Sequence, residues 1–234
     1  MQYLLLSNST MPGQPYFEWP KPHVKSFLGT KRLSLVFIPY AGVTFSYDSY
    51  IQEVKNAFNS MGYEIVGIHS AESKQKLIEE SQGIVVGGGN TFHLLYQLYK
   101  ENLITPLREK VISGTPFIGW SAGSNIAGPT IMTTNDMPII QPPTFDALNL
   151  CPLQINPHFT EKTIEGHGGE SRSQRINEFL EVNKTSKVIG LPEGMFIQRK
   201  DDETVLGGVG TAKYFAWNEK PVDLQTGEQI NRFL

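Results

Sequence analysis

Five short apolar runs recur through the first half of the chain: "YLLLS" (residues 3–7), "LSLVFIPY" (33–40), "EIVGI" (64–68), "GIVVGG" (83–88) and "PFIGW" (116–120). They are continuous, not alternating. A strand with one wet face alternates apolar and polar residues, so a continuous run has to be buried on both faces. The arrangement that buries both faces is a parallel sheet covered by helices, and the segments between the runs read as those helices. In "YDSYIQEVKNAFNSMG", Ile51, Val54, Phe58 and Met61 recur at spacings of three and four, and Gly62 supplies a left-handed stop. "TPLREKVISG" reads as a helix with Thr105 as N-cap, Pro106 at the first helical position and Gly114 past the end. Strands alternating with helices imply right-handed crossovers. The expected class is therefore α/β: a doubly wound, mostly parallel sheet with helices on both faces, forming one domain over residues 1–234.

The last third changes character. Residues 142–170, "PPTFDALNLCPLQINPHFTEKTIEGHGGE", are rich in turn-formers, and a loop of that length in a compact domain points to function. "SRSQRINEFLEV" follows as a helix with Ile176, Phe179 and Leu180 on one face, and "KVIGL", "MFIQRK", "TVLGG" and "KYFAW" read as further strands. A net charge of −3 argues against a nucleic-acid partner, which needs a basic face. No run approaches the roughly 18 apolar residues of a membrane span. "MQYLLLSNST" lacks a basic n-region and reads as a first strand, and one cysteine forms no internal disulfide, so a reducing cytoplasm is the expected setting.

The fifth apolar run ends in "FIGWSAGSN" (117–125), where Gly119-Trp120-Ser121-Ala122-Gly123 matches G-x-S-x-G. In a nucleophile elbow a serine stands on a sharp strand-to-helix turn, and flanking glycines are needed because side chains would collide with neighbouring elements. The amide that follows, Ala122, is then placed to face a developing oxyanion at a helix N-terminus. A serine needs a base. Five histidines are candidates: His23 in a polar N-terminal segment, read as solvated; His69 at a strand end, read as a surface residue; His93 opening a helix; His167 in a glycine-rich loop; and His158 in "INPHF", held between Pro157 and Phe159. The stiff setting of His158 makes it the candidate base. An acid is then required to fix the imidazole tautomer. Asp136, in "TTNDMP", gives the chain order Ser, acid, His only if it precedes His158, as it does; Glu193, in "GLPEG", stands at a strand's carboxyl end, where open α/β sheets place ligands. Spacing does not separate the two.

A second strand-to-helix junction, "VVGGGNTF" (85–92), has Asn90 as helix cap and glycines that let backbone amides approach a ligand. It matches no nucleotide fingerprint, so Gly88 or Gly89 is better read as a second oxyanion donor. "GGESRSQR" (168–175) carries Glu170, Arg172 and Arg175 at a helix start, where an arginine fork could grip an acidic substrate or simply face solvent. Cys151, in "LNLCPLQ", has no glycine-flanked turn and reads as a small core residue.

Taken in order, "LLLSNST", "FIPYAGV", "VGGGNTFHLL", "GWSAGSN", "TTNDMPI", "LQINPHF", "GHGGESRSQRI" and "GLPEG" closely resemble serine peptidases of family S51 over nearly the whole chain. The resemblance implies a fold like that of class I glutamine amidotransferases, no metal or cofactor, and cleavage in the cytoplasm of dipeptides, and some tripeptides, that begin with aspartate. It implies Ser121 as nucleophile, His158 as base, Asp136 or Glu193 as third member, and Gly89 and Ala122 as oxyanion donors. It further implies Arg172 as the grip on the substrate carboxylate. Glu170 and Asn90 complete the expected substrate-binding set, with Glu170 facing the substrate ammonium. The expected partner is a small acidic peptide, bound by a monomer or homodimer; a related hydrolase acting on an aspartyl polymer is the alternative.

Overall fold

The structure, a computed structural model, describes residues 1–163, 166 and 168–234; His167 lies outside the described residues. In chain order the strands are β1 (Tyr3–Leu6), β2 (Ser34–Ile38), β3 (Glu64–Gly67), β4 (Ile84–Val86), β5 (Phe117–Trp120), β6 (Gln154–Pro157), β7 (Lys187–Leu191), β8 (Met195–Lys200), β9 (Glu203–Gly208), β10 (Thr211–Ala216) and β11 (Val222–Gln225). The helices are α1 (Lys21–Leu28), α2 (Tyr47–Asn59), α3 (Lys74–Glu80), α4 (Thr91–Lys100), α5 (Ile104–Ile112), α6 (Ala122–Asn125) and α7 (Arg172–Val182).

The five apolar runs form the parallel part of a seven-stranded sheet, ordered β3-β2-β4-β5-β1, and β8 and β9 extend it antiparallel beyond β1. Both faces are covered, as continuous runs require. Tyr3 and Leu5 point into a core with Leu94, Leu98, Leu107 and Val111 of α4 and α5. Leu4 and Leu6 point the other way, into a core with Val24 and Phe27 of α1 and Val54 and Phe58 of α2. Each such fully buried side chain contributes about 1.5–3 kcal/mol of transfer free energy. The strands β1, β4 and β5 run the same way, so the segments after them, beginning at Ser7, Gly87 and Ser121, emerge along one carboxyl edge.

The later strands do not all join this sheet. β6, β7, β10 and β11 make a second sheet, ordered β11-β10-β7-β6, with β6 and β7 parallel and β10 and β11 antiparallel. Phe159, Ile176, Leu180, Val188 and Phe215 seat α7 against it. Its strand β6 lies inside the long turn-rich stretch and leads directly into His158; β7 leads, two residues on, into Glu193.

Two local expectations are corrected. The helix expected from Thr105 starts earlier: α5 runs from Ile104 with Leu103 at the N-cap, so Pro106 is the third helical residue. That costs no hydrogen bond, because the first four helical amides lack intrahelical partners anyway. His23 is not solvated: it sits on α1, half-buried against Phe196 with ring centroids 4.6 Å apart, and burial lowers its pKa.

Candidate active site

Ser121 joins β5 to α6 with φ 53° and ψ −114°, a left-handed conformation that a residue with a Cβ adopts only under constraint. The constraint is crowding. A Cβ on Gly119 would stand 2.3 Å from the Gly123 carbonyl oxygen, and one on Gly123 would stand 2.1 Å from the Val86 carbonyl oxygen. The chain therefore has glycine on both sides of the bend, and the hydroxyl is carried to the sheet edge. Ser124, one turn on, is fully buried and donates to the carbonyls of Leu6 and Gly119, which ties the start of α6 to β1 and β5.

The Ser121 hydroxyl lies 2.9 Å from His158 Nε2, and His158 Nδ1 lies 2.8 Å from Glu193 Oε1. Nucleophile-type hydroxyl, imidazole and carboxylate thus form one chain across the two sheets. Asp136 is not part of it. Its carboxylate accepts from the Thr91 amide at 2.7 Å, the Thr91 hydroxyl at 2.6 Å and the Thr134 hydroxyl at 3.1 Å. An acid on the first amide of α4 satisfies an orphan donor and complements the helix dipole. Geometry therefore separates the two acids that spacing left equal.

Two residues that the sequence reading did not single out hold this chain in place. Ser7, fully buried after β1, donates to the Leu191 carbonyl at 2.8 Å and accepts from the His158 amide at 2.9 Å. His158 itself has φ 54°, so this bond fixes a strained backbone. Asn8 accepts from the Gly194 amide at 2.9 Å, which anchors the turn carrying Glu193. Both belong to the "SN" of "LLLSNST"; their only sequence signal is a pair of small polar residues at the end of a buried strand.

Ser121, His158 and Glu193 line a cleft of about 330 Å³ together with Gly88, Gly89, Trp120, Tyr16, Phe45, Tyr50 and Glu53. A Cβ on Gly88 would lie 3.0 Å from that of Ser121, so the glycine triplet passes directly beside the hydroxyl. Buried Tyr50 donates to the Gly88 carbonyl at 3.1 Å and accepts from Trp120 Nε1 at 3.1 Å. In a planar trans peptide, fixing that carbonyl sends the Gly89 N–H the opposite way. Among the described residues, the amides of Gly88, Gly89 and Ala122 have no hydrogen-bond acceptor. Glu53, which the sequence reading also missed, is a carboxylate at this cleft whose pKa is raised by burial.

The expected substrate-binding residues lie differently. Asn90 uses its side chain within the fold, accepting from the His93 amide at 3.0 Å and donating to the Met137 carbonyl at 2.9 Å. Glu170 is exposed and sits 3.8 Å from Arg175 Nε, outside the cleft. Arg172, at the first position of α7, borders two adjoining concavities, one with Lys162, Glu170 and Arg175 and one with Asn135, Asp136 and Asn156. Burial and the neighbouring Arg175 lower its pKa, and Asp136 acts in the opposite sense. His69 pairs with Asp48 at 3.0 Å and His93 meets the Tyr40 carbonyl at 2.6 Å, and neither lines the cleft at Ser121. Cys151 is fully buried, as expected of a core residue, and burial raises its pKa.

The sequence from residue 3 to residue 207 matches peptidase family S51. The chain belongs to peptidase family S51. It is 48% identical over 231 residues to peptidase E of Nostoc sp., covering 99% of this chain and 96% of that one. It is also 48% identical over 230 residues to peptidase E of Salmonella typhimurium, covering 98% and 100%. A crystal structure of a peptidase from an acI-B1 Actinobacterium superposes with a TM-score of 0.71 at 17% identity, covering 98% of this chain and 96% of that one. The S51 chain is therefore a peptidase, and its mostly parallel α/β architecture is the glutamine amidotransferase-like fold expected from the sequence. Among the described residues, no helix is long and apolar enough to cross a membrane.

Proposed function

We propose that this S51 peptidase is a serine exopeptidase that releases an N-terminal aspartyl residue from dipeptides and some short peptides, in the cytoplasm, through an acyl-enzyme. The observation that carries the reading is the unbroken chain Ser121–His158–Glu193 at the strained bend after β5. His158 Nε2 takes the proton of Ser121 as its oxygen attacks the aspartyl carbonyl. Glu193 holds Nδ1–H, sets the tautomer and stabilises the imidazolium. The carbonyl oxygen becomes an oxyanion facing the amides of Ala122 and Gly89 or Gly88; one such donor is worth about 10²–10³ in rate. His158 then protonates the departing amine, and water hydrolyses the ester with the same proton transfers reversed.

Selection for aspartate follows from charge. The two concavities that Arg172 borders carry Lys162, Arg172 and Arg175, and their acids Glu170 and Asp136 already have partners. Arg172, half-buried, is the proposed carboxylate partner, since a charge left unpaired in a closed site costs several kcal/mol. With Glu170 drawn to Arg175, Glu53 is the carboxylate suited to the substrate ammonium. The test is hydrolysis of Asp-Leu, Glu-Leu and Asn-Leu side by side by the protein and by Ser121→Ala. The reading expects Asp-Leu to be cleaved well above Asn-Leu, with turnover down on the order of 10⁶-fold without the hydroxyl. Equal cleavage of all three would remove the substrate assignment, and an active Ser121→Ala would remove the nucleophile.

A further inference from the structure

One side chain touches both halves of the site. Asn135 lies in the loop "TTND" just before Asp136. Its Oδ1 accepts from Arg172 Nη1 and, at 2.7 Å, from Asn156 Nδ2. Its Nδ2 donates at 2.7 Å to the carbonyl of Pro157, the residue directly before His158. Asn156 is itself buried at the end of β6 and also donates to the Thr133 carbonyl at 2.9 Å. One planar amide therefore spans from α7 to the end of β6. It is committed as an acceptor on the arginine side and as a donor on the histidine side.

We propose that Asn135 is a positioning residue that sets Arg172 and His158 in one register, so that grip on a substrate carboxylate and aim of the base are adjusted together. The physical case is orientational. Arg172 has a long side chain with several rotatable bonds, and its guanidinium gains a fixed plane only where an acceptor holds it. The backbone at His158 has a positive φ, and the Pro157–His158 peptide is held by two bonds, Asn135 to its carbonyl and Ser7 to its amide. A residue that only filled space at position 135 would keep neither bond. Aspartate there would keep the acceptors, lose the donor and set a negative charge against Arg172. The inference rests on the roles assigned above to Arg172 and His158.

The experiment compares Asn135→Ala and Asn135→Asp with the unaltered protein in two assays. The first is kcat and KM for Asp-Leu and Asn-Leu. The second is the rate at which a fluorophosphonate labels Ser121, which involves His158 but no peptide. In Asn135→Ala, the Asp-Leu to Asn-Leu preference should fall by about tenfold or more, chiefly through KM for Asp-Leu, the weight of a hydrogen bond to a charged group. Labelling should slow in the same variant. In Asn135→Asp the preference should fall further, because the new carboxylate competes with the substrate for Arg172, and labelling should slow as well. If either folded variant keeps both the preference and the labelling rate, or loses activity on both dipeptides equally with labelling unchanged, the proposal is overturned. If the unaltered protein shows no preference for aspartate, the substrate reading fails on its own. Labelling then still decides whether Asn135 acts on His158.

Discussion

The two acids that the sequence left equal should separate by experiment, one into chemistry and one into stability. Glu193 Oε1 stands 2.8 Å from His158 Nδ1, and both side chains are partly exposed, 44% and 39%. In the proposed mechanism His158 is protonated in the transition state, and charge centres about 4 Å apart interact by about 4 kcal/mol at the effective dielectric of a protein surface. Solvent and salt screening reduce that for groups this exposed, to roughly half. Glu193→Gln should therefore lower kcat by about 30-fold, with KM and thermal stability nearly unchanged. Asp136→Ala removes the acceptor of the Thr91 amide, on a residue that is 1% exposed and without ready access to water. An amide left unsatisfied costs about 1–3 kcal/mol, and each kcal/mol moves the Tm of a domain this size by about 2–4 °C. Its kcat should fall far less than that of Glu193→Gln. Steady-state kinetics on Asp-Leu and a calorimetric Tm on the same preparations give both axes. The reasoning is refuted if Asp136→Ala loses turnover as deeply as Glu193→Gln while its Tm holds.

Two further outcomes follow from packing. Gly123→Ala would force a methyl to 2.1 Å from the Val86 carbonyl oxygen, so the protein should be strongly destabilised or fail to fold, as read by circular dichroism; a folded, active variant would mean the bend is looser than its geometry shows. Cys151 is fully buried with a raised pKa, so Ellman's reagent should leave it unmodified and turnover intact at neutral pH, with one thiol appearing on denaturation; rapid titration of the native protein would place it elsewhere.

The parts of this architecture legible in the sequence are those governed by local rules. Continuous apolar runs located β1 to β5, because burial on both faces leaves no alternating pattern. The glycines around Ser121 were readable because only close backbone approach needs them at that spacing. What stayed hidden depends on distant neighbours. Asp136 and Glu193 each suit an acid's role, and only the meeting of β7 with β6 and β1 puts the latter beside His158. Ser7, Asn8 and Asn135 are ordinary polar residues until the fold supplies Leu191, Gly194 and Pro157 as partners. The second sheet escaped for the same reason: its strands look locally like those that extend the first. The start of α5 was misplaced because Thr105 and Pro106 satisfy the capping pattern, but the helix begins just beyond Asn102, whose φ of 56° turns the chain into it.

Ser121 leaves the larger sheet, whereas His158 and Glu193 leave the smaller one, and Ser7 stitches the two along their seam. On the proposed mechanism, turnover is a ruler laid across a joint. A substitution that leaves each half folded leaves the spacing within that half intact, but a slip of an ångström between halves disconnects hydroxyl from imidazole. Drift in an evolving lineage, or a designer's library, should be tolerated in proportion to distance from that joint, even where the substitutions on it look conservative.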